Sequence, residues 1–317
     1  MSAEHARPPL SLPEPLAAAV RASHEGQTVT RPREVVATER LLKRALGPVA
    51  REMRARRLDL VCEVLPTVGD YVLGETRWLV EIVAGAARSA AAQATCGEVV
   101  IRLARQCAGF DASDIVLLTV VVRTATSIEE TLHLELALPA CADEDDELLA
   151  LSNGARMLLV TPSAQGARIH SNAMTRFGIE SATACDGADA RDRLREANRS
   201  GKSFDVVVID ERLEGEVLPL VQAIRTDPSL GRAKSVVTSA GAPEEAVSTL
   251  AKAGAATMEK PVLPSELREA VVALRHDCRV DRRKGTVDAS KIAAALLPPP
   301  QRVTSKSGTY RVALRKV

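Results

Sequence analysis

The sequence predicts two units in series, an α+β sandwich with helices on one face followed by an α/β doubly wound, five-stranded parallel sheet. Three observations carry this. Between residues 31 and 141, helix, strand and helix patterns lead into a succession of alternating strands. An acidic run, Asp143–Glu147, then interrupts the chain with charge that resists burial. From Ala155 to about Arg275, strand and helix patterns alternate strictly.

Residues 1–30 place prolines and polar breakers around a short Ala-rich stretch and read as a flexible leader. Between Glu34 and Arg57, Val35, Val36, Leu41, Leu42, Ala45, Val49 and Met53 recur at three- and four-residue steps, which predicts an amphipathic helix. Its arginines (Arg44, Arg51, Arg54, Arg56, Arg57) fall mostly off that face and read as a solvated flank. "LDLVCEVLP" alternates as a strand, and "LGETRWLVEIVAGAARSAAAQA" reads as a second helix of small residues. "GEVVIRLARQC", "DIVLLTVVVR" and "TLHLELALP" complete the strands of the first unit, 31–141. Residues 142–154 form the acidic linker.

Composition excludes several classes of function. A chain of 317 residues with net charge +1 is not built to coat nucleic acid, and six scattered aromatics (Tyr71, Trp78, Phe110, Phe177, Phe204, Tyr310) make no base-stacking platform. No segment reaches the ~20 apolar residues of a membrane helix. The first residues lack a basic start followed by an apolar core, so a cytoplasmic address is expected. Six dispersed cysteines (Cys62, Cys96, Cys107, Cys141, Cys185, Cys278), with no C-x-x-C pair, read as reduced buried thiols rather than disulfides or a metal site.

In the second unit, 155–276, the predicted strands are "RMLLVT", "IESATAC", "FDVVVID", "AKSVVTSA" and "ATMEK", each followed by a helix. Ligands of such sheets bind at the carboxyl ends of the strands, which here carry Thr161, Asp210, Ser239 and Lys260. A strand-end aspartate beside a hydroxyl residue and a lysine places a carboxylate nucleophile near a donor and a fixed cation. That set suits phosphoryl acceptance, because the transferring group needs its charge compensated.

Residues 155–276 resemble the response-regulator receiver family, with a flavodoxin-like sheet. "FDVVVID" ends in Asp210 at the family's acceptor position, "SVVTSAG" places Ser239 and Ala240 at its Thr/Ser–Ala signature, and "EKP" places Lys260 and Pro261 at its Lys-Pro pair. The resemblance implies Asp210 as phospho-acceptor, Ser239 as the donor to a phosphoryl oxygen and Lys260 as charge compensation. Where the family carries the acidic pair that holds a divalent cation, this chain has Thr161 and Pro162, and Glu211 is a carboxylate displaced along the chain. Thr257 and Met258 stand where the family has its switch aromatic.

"GETRWLVEIVAGAARSA" resembles the G-D-x-x-R-L-x-Q-I-L-x-N-L-x-x-N-A stretch of histidine-kinase ATPase domains, with Leu79, Glu81, Ile82 and Val83 matching in kind. The two asparagines that ligate magnesium and nucleotide in that family are Gly85 and Ser89 here. "VVVRTATSI" aligns with the family's D-T-G-x-G-I box and puts Arg123 at its adenine-reading aspartate and Ala125 and Ser127 at its glycines. An arginine offers the adenine amino group no acceptor, and side chains at those glycines crowd a ligand. Loss of Mg2+ and ATP binding is therefore expected, with no cofactor. "SHEG", with His24, lies too close to Arg31 for the two long helices that carry a phospho-accepting histidine in these kinases.

Residues 277–317 have ten Lys or Arg against two Asp after Cys278 and a triple proline at Pro298–Pro300, and read as a disordered basic tail. The tail, over 279–317, is also the one place where nucleic acid or another acidic surface could bind. The two resemblances together imply a two-component signalling protein of the hybrid histidine kinase type, a pseudokinase joined to a degenerate receiver. Its expected partners are a histidine kinase, a phosphotransferase or a response regulator, with no membrane and with a homodimer left open. The alternative is a working phosphoryl acceptor at Asp210.

Overall fold

The computed structural model describes residues 29–31, 34–94, 97–106, 115–123, 128–136, 152–275, 308–310 and 312–315. The chain divides into two compact units, one containing Val64–Asp143 and Arg302–Val317 and the other containing Glu144–Gln301.

In the first unit, β1 (Val29–Arg31) and β2 (Glu34–Ala37) lead into α1 (Thr38–Ala55), β3 (Leu58–Val64), a 3-10 turn at Pro66–Val68, β4 (Tyr71–Gly74) and α2 (Thr76–Gln93). Then come β5 (Gly97–Gln106), β6 (Ile115–Arg123) and β7 (Ile128–Leu136). Beyond the second unit the chain returns with β13 (Gly308–Tyr310) and β14 (Val312–Arg315). The main sheet is ordered β14-β7-β6-β5-β3, with antiparallel pairing from β14 through β5. Two short antiparallel ladders, β2 with β4 and β1 with β13, complete the unit.

Both helices lie in the core. Leu42, Leu46, Val49 and Met53 of α1 and Leu79, Ile82, Ala86 and Ala87 of α2 are buried, as are Val99, Ile101, Leu118 and Val120 of the sheet. The Ala- and Gly-rich run Ala84–Ala87 is buried against its surroundings because small side chains allow close helix approach. Arg44, Arg51, Arg54, Arg56 and Arg57 are exposed, as expected of a solvated flank. Arg88 bonds Glu52 through two contacts of 2.8 and 2.9 Å, tying α2 to α1 at the surface.

Four expectations are corrected. The predicted helix over Glu34–Arg57 begins only at Thr38, because the β-branched Val35 and Val36 pair with Leu73 and Val72 in β2–β4. Thr38 marks the change: its N–H donates to the Asp70 carbonyl at 2.8 Å and its hydroxyl to the Gly69 carbonyl at 3.1 Å. The leader over 1–30 includes Val29 and Thr30, which are in β1. The tail expected to be disordered over 277–317 contains β13 and β14, whose backbone groups are satisfied by β1 and β7. The rest of the leader, linker residues 142–151, His24 and residues 276–307 lie outside the described residues. Cys62 is buried and Cys185 is exposed, so the expectation of buried thiols fails at Cys185.

The second unit runs β8 (Arg156–Val160), α3 (Ala164–Arg176), β9 (Glu180–Ala184), α4 (Gly187–Arg199), β10 (Val206–Asp210), α5 (Val217–Thr226), β11 (Lys234–Ser239), α6 (Glu244–Ala253), β12 (Ala255–Glu259) and α7 (Pro264–Arg275). All strand pairs are parallel, in the order β12-β11-β10-β8-β9. One core layer packs Leu194, Leu220, Ile224 and Leu250 of α4, α5 and α6 on one face, and the other packs Ile179 with Met174, Leu267 and Val271 of α3 and α7. The central strand β10 is buried along its whole length, which explains its unbroken apolar run "VVVI". Gly178 turns the chain from α3 towards β9 at φ +67, where an added Cβ would meet Asn153 Oδ1 at 3.0 Å.

Candidate functional site

Parallel strands all end on one side, so the topology alone collects Thr161, Asp210, Ser239 and Lys260, each at or just past a strand end. All four are buried, with residue exposures of 5–6%. Pro162, beside Thr161, is exposed. Thr161 is held in place by Ser163, whose backbone N–H donates to the Thr161 hydroxyl oxygen at 3.2 Å and whose own side chain caps α3 through Gly166 N at 2.7 Å.

The Asp210 carboxylate accepts on both oxygens. Oδ1 takes Lys260 Nζ at 2.9 Å and the Arg212 backbone N–H at 3.0 Å. Oδ2 takes the Thr161 hydroxyl at 2.9 Å and Arg212 Nη2 at 3.0 Å. Arg212 Nε lies 3.3 and 3.4 Å from the two oxygens. Burial alone would push the Asp210 carboxyl up; the charges and hydrogen bonds of Lys260 and Arg212 outweigh it and hold the group well below the usual carboxylate range. The carboxylate is therefore ionised and fully engaged by this chain's own donors.

Ser239 bonds to the neighbouring Glu211. Its hydroxyl donates to Glu211 Oε2 at 2.6 Å, and the Ala240 N–H donates to Glu211 Oε1 at 2.7 Å. Sequence reasoning counted Glu211 only as a displaced carboxylate and missed Arg212 altogether. The signal for Arg212 was available: an Asp at a strand end accepting the N–H two residues on makes an Asx turn, which brings the i+2 side chain back towards the carboxylate. Thr257 and Met258 are buried in β12.

A divalent cation does not fit this arrangement. Positions 161 and 162 carry a hydroxyl and a proline, and two cations already lie on the oxygens of Asp210. Among the described residues no group of three or more His, Cys, Asp or Glu could hold a metal ion. Of the positions that the ATPase resemblance points to in the first unit, Gly85 and Ser89 lie buried in α2, and Gly85 has no side chain to ligate with. Arg123 ends β6, well along the sequence from both, while Ala125 and Ser127 lie outside the described residues. Among the described residues no helix is long and apolar enough to cross a membrane.

Solved structures similar to this chain include full-length ShkA in complex with AMPPNP, 15% identical, with a TM-score of 0.52 over 78% of this chain and 58% of that one. A response regulator from Thermotoga maritima is 24% identical over 38% of this chain and 98% of its own, with a TM-score of 0.34. A response regulator receiver domain from Francisella is 22% identical over 40% of this chain and 100% of its own, with a TM-score of 0.33. No family model and no curated protein matches the chain. At these identities the likeness is one of fold. A parallel sheet in which the first strand lies between the second and third, with the fourth and fifth following, and with helices on both faces, is the flavodoxin-like fold of response-regulator receiver domains.

Proposed function

We propose that this chain is a two-component signalling protein that works by occupying the docking surface of a histidine kinase, a phosphotransferase or a response regulator, without itself transferring phosphoryl groups. The observation that carries this reading is the state of Asp210. A nucleophilic carboxylate needs an accessible oxygen and a neutralised incoming phosphoryl group. Here both oxygens are bonded to Thr161, Arg212 and Lys260, and no acidic pair precedes them. A receiver fold retains its recognition surface when its acceptor chemistry is lost, because partner docking depends on the packed helices and loops around the sheet.

The first unit is read as an ATPase-like scaffold without nucleotide. The order of helix, strand, helix and antiparallel strands supports it, as does the match to ShkA, which covers a larger share of the chain than the second unit alone. Gly85 and Arg123 supply none of the acceptors the resemblance calls for, and the Ser89 hydroxyl is a weak substitute for an asparagine amide.

Incubation of the full chain with acetyl phosphate and magnesium, followed by intact mass measurement, tests the proposal. No phosphoryl adduct is expected. An adduct that disappears in Asp210→Ala would establish instead a working phosphoryl acceptor, with Asp210 as nucleophile.

A further inference from the structure

Glu211 follows Asp210 directly, yet its carboxylate serves the neighbouring strand. Its two oxygens take two adjacent donors, the Ser239 hydroxyl at 2.6 Å and the Ala240 N–H at 2.7 Å. A hydroxyl and a backbone amide converging on one anion make a compact anion-binding pair, and bonds to an ionised acceptor are the strong ones. The pair is well anchored. The Glu211 N–H donates to the Thr238 carbonyl at 3.0 Å, and the Lys260 N–H donates to the Ser239 carbonyl at 2.8 Å. Residue 211 is thus clipped to the end of β11 through backbone and side chain alike. Ser239 and Ala240 are both buried, so water competes poorly for these donors. Ser239 is also the hydroxyl that a phosphoryl group on Asp210 would require.

We propose that the Ser239 hydroxyl and the Ala240 amide form an anion site whose resident ligand is the chain's own Glu211 carboxylate. The end of β11 and the turn into α6 then keep one arrangement whether or not an anion is supplied from outside. This inference rests on the reading of Asp210 as a non-accepting carboxylate. Asp210 and Glu211 divide the surrounding donors between them, two cations and Thr161 for one, Ser239 and Ala240 for the other.

The test is amide hydrogen exchange and the proton shift of Ala240 in the 15N-labelled full chain. In the unmodified protein the Ala240 N–H is expected to be protected and unmoved by inorganic phosphate, or by beryllofluoride with magnesium. In Glu211→Ala its exchange rises at least roughly tenfold, and millimolar inorganic phosphate slows it again by entering the vacated pair. Glu211→Gln, of nearly the same shape, gives an intermediate rate, because its amide presents one acceptor oxygen where two are needed. Unchanged Ala240 exchange in both variants overturns the proposal, as does a response of the unmodified protein to beryllofluoride. A Glu211→Ala protein that phosphate does not restore leaves Glu211 as a structural clip and overturns the anion site. An acetyl-phosphate adduct at Asp210 defeats the underlying reading, whereas unchanged exchange without an adduct defeats the inference alone.

Discussion

Arg212 Nη2 lies 3.0 Å from Oδ2 of Asp210, the same oxygen that accepts the Thr161 hydroxyl. A monovalent cation carried two residues along the chain thus covers one side of the carboxylate, and Lys260 covers the other at 2.9 Å. The two pairs differ in burial. The side chains of Lys260 and Asp210 are each 8% exposed, whereas that of Arg212 is 28% exposed.

That difference sets an order of stabilities. Lys260→Met removes the deeply buried partner and leaves Asp210 short of a cation, at an expected cost of about 3 kcal/mol. Arg212→Gln breaks a better-hydrated contact and costs about 1 kcal/mol. Urea unfolding of each variant measures both. A larger loss from Arg212→Gln would show that the guanidinium, and not the lysine, compensates the carboxylate.

Two carboxyls give opposite responses to pH. Asp210 is held below its usual range, so its contribution is fully present above the unfolded value of about 3.9 and is lost only as pH falls below it. Burial pushes Glu269 in α7 up to about 7, with Arg268 opposing and Glu266 reinforcing. The folded state therefore holds an extra proton between about pH 4.3 and 7, and stability falls as pH rises through that window. Glu269→Gln is expected to remove this fall, gaining on the order of 2 kcal/mol at pH 8 relative to pH 4. Identical pH profiles for variant and parent would sink the assignment.

Nucleotide binding gives a direct readout of the first unit. Calorimetric titration of the full chain with ATP and magnesium is expected to show no saturable heat, because Gly85 and Ser89 do not replace two amide side chains. Saturable, magnesium-dependent binding in the low micromolar range would contradict the pseudokinase reading.

The returning strand β14 is expected to protect the edge of β7. Register pairs Val312 with Leu136 and Leu314 with Leu134, so deleting 302–317 leaves a row of β7 backbone groups without their ladder partners. Faster amide exchange within His133–Leu136 in the truncated chain checks this. Unchanged protection would show that β14 adds nothing to the edge.

The parallel sheet was legible because β10 is buried throughout and β8 and β11 nearly so and read as apolar runs, and because Gly and polar breakers punctuate the alternation. Asp210, Ser239 and Lys260 could be placed at strand ends for the same reason. In the first unit the boundary between β2 and α1 was obscured, since Val35 and Val36 fit a helical period and a strand equally well. The tail was misread because charge and proline content describe what a segment cannot bury, and say nothing of an open edge that can satisfy its backbone.

Local pattern by itself determined which residues reach the carboxyl end of the sheet, Thr161, Asp210, Ser239 and Lys260. How those residues divide the available donors was decided only by tertiary structure. Asp210 and Glu211 are adjacent in sequence, yet they leave the strand end in different directions, one towards Lys260 and Arg212 and the other towards Ser239 and Ala240. Arg212 reaches Asp210 from two residues along the chain, whereas Thr161, Ser239, Ala240 and Lys260 reach the pair from 28 to 50 residues away. Hydrogen-bond pairing across that distance is set by register and burial, which no single stretch of sequence contains.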